Sequence, residues 1–101
     1  FAIVDGDKIV GRVSLYECRE KTIHIGPEIF PEFRRKGFAK KAMIMACVIA
    51  KEKGYLLVSQ RIRVDNVASI ALHTSLGFKM CGEAFINSKG NKICVYEQSL
   101  S

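Results

Sequence analysis

The sequence predicts an α/β (α+β) fold built on a mixed, mostly antiparallel twisted sheet, with the element order β-β-β-α-β-α-β-β. Apolar runs of strand length alternate with turn residues along most of the chain. Two stretches instead have helical patterns, and each ends at a glycine. The chain has 101 residues and is 49% hydrophobic, which is enough for one core. We therefore expect a single domain spanning residues 1–101.

The first three strands are separated by short turns. Residues 1–4 read as a strand, the Asp-Gly-Asp turn at 5–7 favours a hairpin, and residues 8–18 form the returning strand. Residues 22–30 are strand-like, but Gly-Pro interrupts them. Because Pro27 cannot donate a ladder hydrogen bond, we expect a bulge or a splayed strand there.

The second half alternates helices and strands. Gly54 and Gly77 are expected to end the two helices, and Asp65 or Asn66 to cap the start of the second. The predicted elements are a loop over 31–36, a helix over 38–53, a strand over 55–64, a helix over 67–76, and a hairpin of strands 78–86 and 92–98.

The charge and the cysteines restrict the kind of protein. A net charge of +6 and a pI of about 9.3 favour an anionic partner: nucleic acid, an acidic membrane surface or a phosphate-bearing small molecule. The four cysteines form no C-x-x-C pair, so no metal site is expected. Each sits among apolar neighbours, and we expect all four to be reduced, buried thiols of a cytoplasmic protein. No apolar run is long enough to cross a bilayer. The chain starts at Phe1, inside a strand and without Met, which is typical of a fragment.

The stretch FPEFRRKGFAKKAM, residues 30–43, places five basic side chains around Gly37 where a helix begins. A helix N-terminus favours acidic side chains, so this charge favours a bound anion. Open backbone N–H groups there can bind phosphate, and Gly37 and Ala39 leave room for it. The stretch is neither a Walker P-loop nor a dinucleotide fingerprint. The alternative is a solvated basic turn.

A second stretch, NVASIALHTSLGF at residues 66–78, forms the other candidate site. Asn66 and His73 are seven residues apart and therefore share a helix face. Leu72 and Leu76 face elsewhere and suit the core. Taken alone, Asn66 is typical of a helix cap, and His73 of a structural or exposed histidine.

Together the two stretches resemble the signatures of the GCN5-related N-acetyltransferase (GNAT) family, R/Q-x-x-G-x-G/A and N-x-x-A-x-x-L-Y-x-x-L-G-F. They occur in the family's order, with one helix and one strand between them, and the resemblance covers nearly all of the chain. Ser69 replaces the usual Ala, and His73 replaces the usual Tyr. The family's first strand and two helices, which commonly help to form the acceptor pocket, are missing from this sequence.

The resemblance implies acetyl-CoA as co-substrate. Its pantetheine arm would lie between strands 22–30 and 55–64, and its pyrophosphate on the loop and helix start, although Pro27 removes one donor at that rim. The residues thereby assigned to the cofactor are Pro27, Glu28, Ile29, Arg34, Arg35, Lys36, Gly37, Phe38, Ala39, Lys40 and Asn66.

The resemblance also implies direct attack of a primary amine on the thioester. His73 occupies the position of the family's acid, and an imidazolium can donate a proton to the leaving thiolate. Glu28 is the best candidate for the base, while His24 and a water chain stay open.

Two other classes compete with the enzyme. One is a non-catalytic acyl-CoA-binding module or inactive relative, which His73 and the absent N-terminal region favour. The other is a small nucleic-acid-binding domain, but paired exposed aromatics and a helix-turn-helix are lacking. We expect a small-molecule or peptide amine as partner, with neither nucleic acid nor membrane. A homo-oligomer is plausible because strand edges are exposed.

Overall fold

The computed structural model describes residues 1–100 and contains every predicted helix and strand, each within two residues of its predicted ends. The helices are α1 (Phe38–Glu52) and α2 (Val67–Ser75), and a short 3-10 helix spans Pro31–Phe33 inside the predicted loop. The strands are β1 (Ala2–Asp5), β2 (Lys8–Arg19), β3 (Thr22–Ile29), β4 (Leu57–Arg63), β5 (Lys79–Ile86) and β6 (Lys92–Ser99). The final residue of the expected domain, 101, lies outside the described residues.

The six strands form one sheet in the order β1-β2-β3-β4-β6-β5. Among the described strands, β3 and β4 pair in parallel and the other neighbours pair antiparallel. This arrangement confirms the predicted mixed, mostly antiparallel sheet. Helix α1 makes the long crossover that a parallel pair requires.

The predicted bulge at Pro27 is wrong. The register between β2 and β3 continues without a shift from Gly11 opposite Ile29, through Val13 opposite Pro27, and on toward the start of β3. Its irregularity lies instead between Glu17 and Arg19. Proline is tolerated in this ladder because its missing N–H points away from β2.

The alternative expectation at this position, a splayed strand, is confirmed. β3 and β4 pair only at Thr22 opposite Leu57 and at Ile23 opposite Val58, and then diverge. We call the opening between β3 residues 24–29 and β4 residues 59–63 the β3–β4 gap. The gap leaves backbone groups of a central strand without a ladder partner.

The core lies between the sheet and the helices, which pack on the same face. Leu72 and Leu76 of α2 pack against it, as predicted. Alternation along β3 sends its odd-numbered side chains into this core, while His24 and Glu28 point to the opposite face. The core residues of α1 and of the two central strands are Ala42, Met43, Ala46, Ala50, Ile23, Ile25 and Val58.

Two further sequence expectations concern the cysteines and the membrane. Cys18, Cys47, Cys81 and Cys94 are all free thiols, as predicted. The expected burial is wrong for Cys18 and Cys81, which are exposed; Cys47 is half-buried and Cys94 is buried. Within the described part of the chain, neither helix has the length and apolar character needed to cross a bilayer.

Candidate active site

The start of α1 has an unusual backbone. Gly37 is its N-cap with φ 81°, no side chain caps it, and its first turn has no acidic residue. Arg35 also has a positive φ, 64°, which is uncommon for a residue with a side chain. The first helical bond runs from Lys41 N to Gly37 O at 3.3 Å. The N–H groups of Phe38, Ala39 and Lys40 have no hydrogen-bond partner within the described part of the chain and can therefore bind an anion.

Among residues 1–100, none of the basic side chains around this helix start forms an ion pair with an acidic residue. The ion pairs among the described residues involve other arginines. The Lys36 and Lys41 ammonium groups instead lie over the rings of Phe33 and Phe38, each at 5.9 Å from the centroid. The five side chains that add uncompensated positive charge here are Arg34, Arg35, Lys36, Lys40 and Lys41.

A cavity of about 350 Å³ lies between the loop after β3, the start of α1 and the first half of α2. We call it the α1–α2 cavity. Helix α2 contributes Ala68, Ser69 and Leu72 to its wall, so the two sequence motifs meet there. Of the residues that the resemblance assigned to the cofactor, those in the wall are Ile29, Arg34, Arg35, Gly37, Phe38, Ala39 and Lys40.

The β3–β4 gap opens next to this cavity. The N–H and C=O of Ile25 point into the gap, where both bond to Gln60. Alternation therefore turns the C=O of Pro27 and both backbone groups of Ile29 the same way. The Ile29 oxygen already accepts a hydrogen bond from Arg34 Nε at 3.1 Å. The first basic residue of the motif is thus tied to the rim of the gap.

His73 lies on the helix side of the sheet and is buried, with 4% of its surface exposed. Its Nδ1 is 2.8 Å from the Ser69 carbonyl oxygen and its Nε2 is 3.2 Å from Gln60 Nε2. The ring also packs edge-on against Phe78, with centroids 5.0 Å apart. His73 as the acid stays a prediction, and that role requires an Nε2 proton where Gln60 now donates.

Gln60 is a residue that sequence reasoning missed. It is 3% exposed and bridges Ile25 at the point where β3 and β4 separate. In the sequence it is one polar residue in an alternating strand, between Ser59 and Arg61, and reads as a surface position. The available signal is weak: its apolar neighbours two residues away, Val58 and Ile62, are both buried.

Glu28 lies on the opposite face of the sheet from His73. Because β3 has no bulge, His24, Gly26 and Glu28 share one face. Glu28 is exposed, and its Oε1 is 2.6 Å from Arg12 Nε. The structure therefore does not bring the two predicted catalytic side chains, Glu28 and His73, together, because they lie on opposite faces of the sheet.

His24 is closer than Glu28 to the inner end of the gap. Its Nδ1 is 3.4 Å from the Ser59 carbonyl oxygen, and its ring centroid is 4.8 Å from that of Tyr16. Burial lowers the pKa of His24, with the charge of Arg61 adding to the effect and the Ser59 contact opposing it. The ring lines a cavity of about 460 Å³ on this face. A neutral imidazole there can accept a proton.

Asn66 caps α2, since its Oδ1 accepts from Ser69 N at 3.2 Å. This settles the choice between Asp65 and Asn66 in favour of the second. The cap uses the side-chain oxygen and leaves the amide nitrogen for other partners. The predicted contact between Asn66 and the pantetheine arm stays a prediction.

Comparison with known proteins agrees with this geometry. The model of the acetyltransferase (GNAT) family matches residues 1–78. A curated relative, the SPbeta prophage-derived uncharacterized N-acetyltransferase YokL of Bacillus subtilis, is 32% identical over 85 residues, covering 81% of this chain. The chain spans about half of that relative, 48% of its length.

Solved structures show the same fold. An N-acetyltransferase from Staphylococcus aureus Mu50 matches with a TM-score of 0.86 at 26% identity, covering 99% of this chain and 66% of the other. The Salmonella typhimurium protein yncA, solved with acetyl-CoA, gives 0.85 at 22% identity, covering 96% and 61%. With the family model matching more than half of the sequence and both motifs meeting at one cavity, the chain belongs to the GNAT family of acetyltransferases.

Proposed function

We propose that this chain binds acetyl-CoA and that its protein transfers the acetyl group to a primary amine. One observation carries the proposal: the α1–α2 cavity joins an uncapped, acid-free helix start to the open edge of β3. A phosphate needs the first feature and an extended amide-bearing arm needs the second. Both are features of this chain's own backbone.

The pyrophosphate would bind at the start of α1. The N–H groups of Phe38, Ala39 and Lys40 donate to its oxygens, and the surrounding arginines and lysines supply charge. Arg35 and Gly37, two residues apart at this turn, both have a positive φ. The positive φ is strained only at Arg35, which has a side chain, and such strained positions cluster at functional sites.

The pantetheine arm would enter the β3–β4 gap from this end and run inward along β3. Pro27 offers a carbonyl acceptor and Ile29 an N–H donor, which match the donors and acceptors of the arm's amides. The thioester would then lie near the inner end of the gap, between His73 on one face and His24 on the other. Asn66 would contact the arm from the start of α2.

The amine nitrogen would attack the thioester carbonyl, and the C–S bond would break to release coenzyme A thiolate. The ammonium must first lose a proton to a base, and the thiolate must gain one from an acid. Glu28 is our proposed base. His24 is the alternative, since its lowered pKa keeps it neutral at neutral pH. His73 is our proposed acid or thiolate-stabilising group.

Solved neighbours with the same fold are named for different amine acceptors. A spermidine N-acetyltransferase from Vibrio cholerae, in complex with CoA and spermine, shares 22% identity with this chain, and a ribosomal-protein-alanine N-acetyltransferase from Brucella melitensis shares 20%. At that distance the likeness concerns the fold. Polyamines, amino sugars, antibiotics, protein N-termini and small amine metabolites all fit the chemistry, in a cytoplasmic setting.

A second candidate function is acyl-CoA binding without catalysis. The buried His73, with both ring nitrogens bonded inside the protein, favours it. In that case the fold keeps the cofactor site and lacks a proton donor at the sulfur. The two functions share the cofactor and differ in turnover.

Calorimetry with acetyl-CoA tests the binding step. We expect binding in the chain and weaker binding in Gly37→Val, because Gly37 lines the α1–α2 cavity. Gly90→Val is the matched control. Gly90 also has a positive φ, and a Cβ added there would likewise meet no atom within 4 Å, but it lies in the turn between β5 and β6. Absence of acetyl-CoA binding would sink both functions, and binding of a short RNA instead would favour a nucleic-acid role.

Release of free thiol with a panel of amines separates enzyme from binding module. We expect His73→Phe to slow thiol release more than it weakens acetyl-CoA binding. Unchanged turnover in that variant removes His73 from the mechanism. Binding without thiol release for any amine favours the module.

A further inference from the structure

We propose that Gln60 is a positioning residue that closes the inner end of the β3–β4 gap and thereby limits the length of the acyl group. The inference rests on the proposed function, because it takes the phosphates to bind at the start of α1 and the arm to run inward from there. It goes beyond that function by identifying the side chain that limits how long the bound acyl group can be.

The first support is how Gln60 joins the diverging strands. The Gln60 Oε1 accepts from Ile25 N at 2.9 Å, and its Nε2 donates to Ile25 O at 2.7 Å. One side chain thus replaces the two ladder bonds that a backbone partner would supply. The open edge of β3 begins only after Ile25, at Pro27.

These bonds also fix the orientation of the amide. Ile25 N can only donate and Ile25 O can only accept, so the oxygen and nitrogen of Gln60 cannot be exchanged. The second N–H of Gln60 then points to His73 Nε2, 3.2 Å away. The amide oxygen of Gln60 thus accepts one hydrogen bond and its nitrogen donates two, and these three bonds fix the position of the amide.

The histidine tautomer follows from the same chain of bonds. His73 Nδ1 is 2.8 Å from the Ser69 carbonyl oxygen, which only accepts, so Nδ1 carries the proton. Nε2 must then be the acceptor for Gln60. Ser69 Oγ, at 3.4 Å from Nδ1, is a weaker neighbour of the same atom. The titratable group facing this histidine across the sheet is His24.

Gln60 limits how far the acyl end of the cofactor can extend into the β3–β4 gap. Without the amide, the N–H and C=O of Ile25 would join the open edge and lengthen it by two residues, or about 7 Å at the rise of a strand. That length admits several methylene groups. Gln60 therefore favours acetyl over longer acyl groups, because a longer chain would have to displace a buried amide that makes three hydrogen bonds.

Calorimetry with acetyl-, propionyl- and butyryl-CoA tests this limit. We expect the chain to bind butyryl-CoA at least about tenfold more weakly than acetyl-CoA, and Gln60→Ala to remove most of this difference. Gln60→Glu keeps the acceptor and the volume but loses the donors, and should retain the discrimination better than the alanine variant. Equal affinities for the three acyl groups in the unaltered chain would overturn the proposal.

A spectroscopic test does not depend on the ligand. The chain contains two histidines, so nitrogen NMR of the imidazoles distinguishes them readily. We expect His73 in the Nδ1–H form and slowly exchanging side-chain amide protons on Gln60. The Nε2–H form, or rapid exchange of those protons, would overturn the network even if acetyl-CoA binds. Absence of acetyl-CoA binding with the network intact would refute the proposed function instead.

Discussion

Gly11 of β2 provides a sharp test of how packing shapes the β3–β4 gap. A Cβ at this position would overlap the backbone oxygen of Glu28 and lie 3.1 Å from Ile29 Cα. Both atoms belong to the backbone, so neither can turn aside as a side chain would. Gly11→Ala must therefore push the end of β3 away from β2, and with it the wall of the gap.

The expected cost follows from two opposing terms. Forcing a methyl group into filled space costs about 1–3 kcal/mol, while replacing glycine recovers about 0.4–1 kcal/mol through the unfolded chain. We expect a net loss of about 1–2 kcal/mol in the free energy of unfolding. For a domain of this size that lowers the Tm by roughly 5–15 °C.

Gly26→Ala is the matched control in the paired strand. Its added methyl would have Ser14 Cβ, at 3.8 Å, as its nearest atom, which is ordinary contact. Thermal unfolding followed by circular dichroism compares the variants, and calorimetry compares their affinity for acetyl-CoA. We expect Gly11→Ala to lower both the Tm and the affinity, and Gly26→Ala to leave the Tm equal or higher. Equal Tm values for the Gly11 variant and the unaltered chain would refute the reasoning.

Three other outcomes are expected. Gly37→Ala should lower acetyl-CoA affinity by calorimetry, while Gly90→Ala, which adds a methyl at a similar positive φ, should lower only the Tm. His24 has a lowered pKa in the folded chain, so its contribution to stability is present above its unfolded pKa near 6.5 and is lost as pH falls through the folded value. Between about pH 7.5 and 5, the His24→Asn variant should therefore lose less unfolding free energy, measured with urea, than the unaltered chain. Glu28→Gln should slow amine-dependent thiol release. It should change the unfolding free energy by less than about 1 kcal/mol, because the ion pair of Glu28 with Arg12 is solvent-exposed. An unchanged rate of thiol release would exclude Glu28 as the base.

The order and ends of the helices and strands follow from local patterns, which is why the sequence predicts them well. Turn residues, helix-ending glycines and the Asn66 cap act within a few positions of one another. The GNAT motifs add the fold and the location of the proposed cofactor site. These signals depend on residue spacing, and spacing is fully visible in a sequence.

The errors and omissions have a different origin. The sequence predicts a bulge at Pro27, but whether its missing N–H interrupts a ladder depends on which neighbouring strand it points to, and that depends on the register with β2. Gln60 and Gly11 matter through partners 35 and 17 residues away in the chain, Ile25 and Glu28. Nothing in the local pattern identifies those partners, so these roles became visible only with the strand pairing.

The β3–β4 gap also has a consequence for self-association. It places an unpaired strand edge in the middle of a sheet, where a foreign strand could add as it would at an outer edge. The N–H and C=O of Ile25 are already hydrogen-bonded to Gln60, and the C=O of Ile29 is hydrogen-bonded to Arg34. Pro27 has no N–H to donate. A continuous strand would find too few partners there, so the opening rejects β-strand addition while remaining open to a ligand that needs only a few bonds.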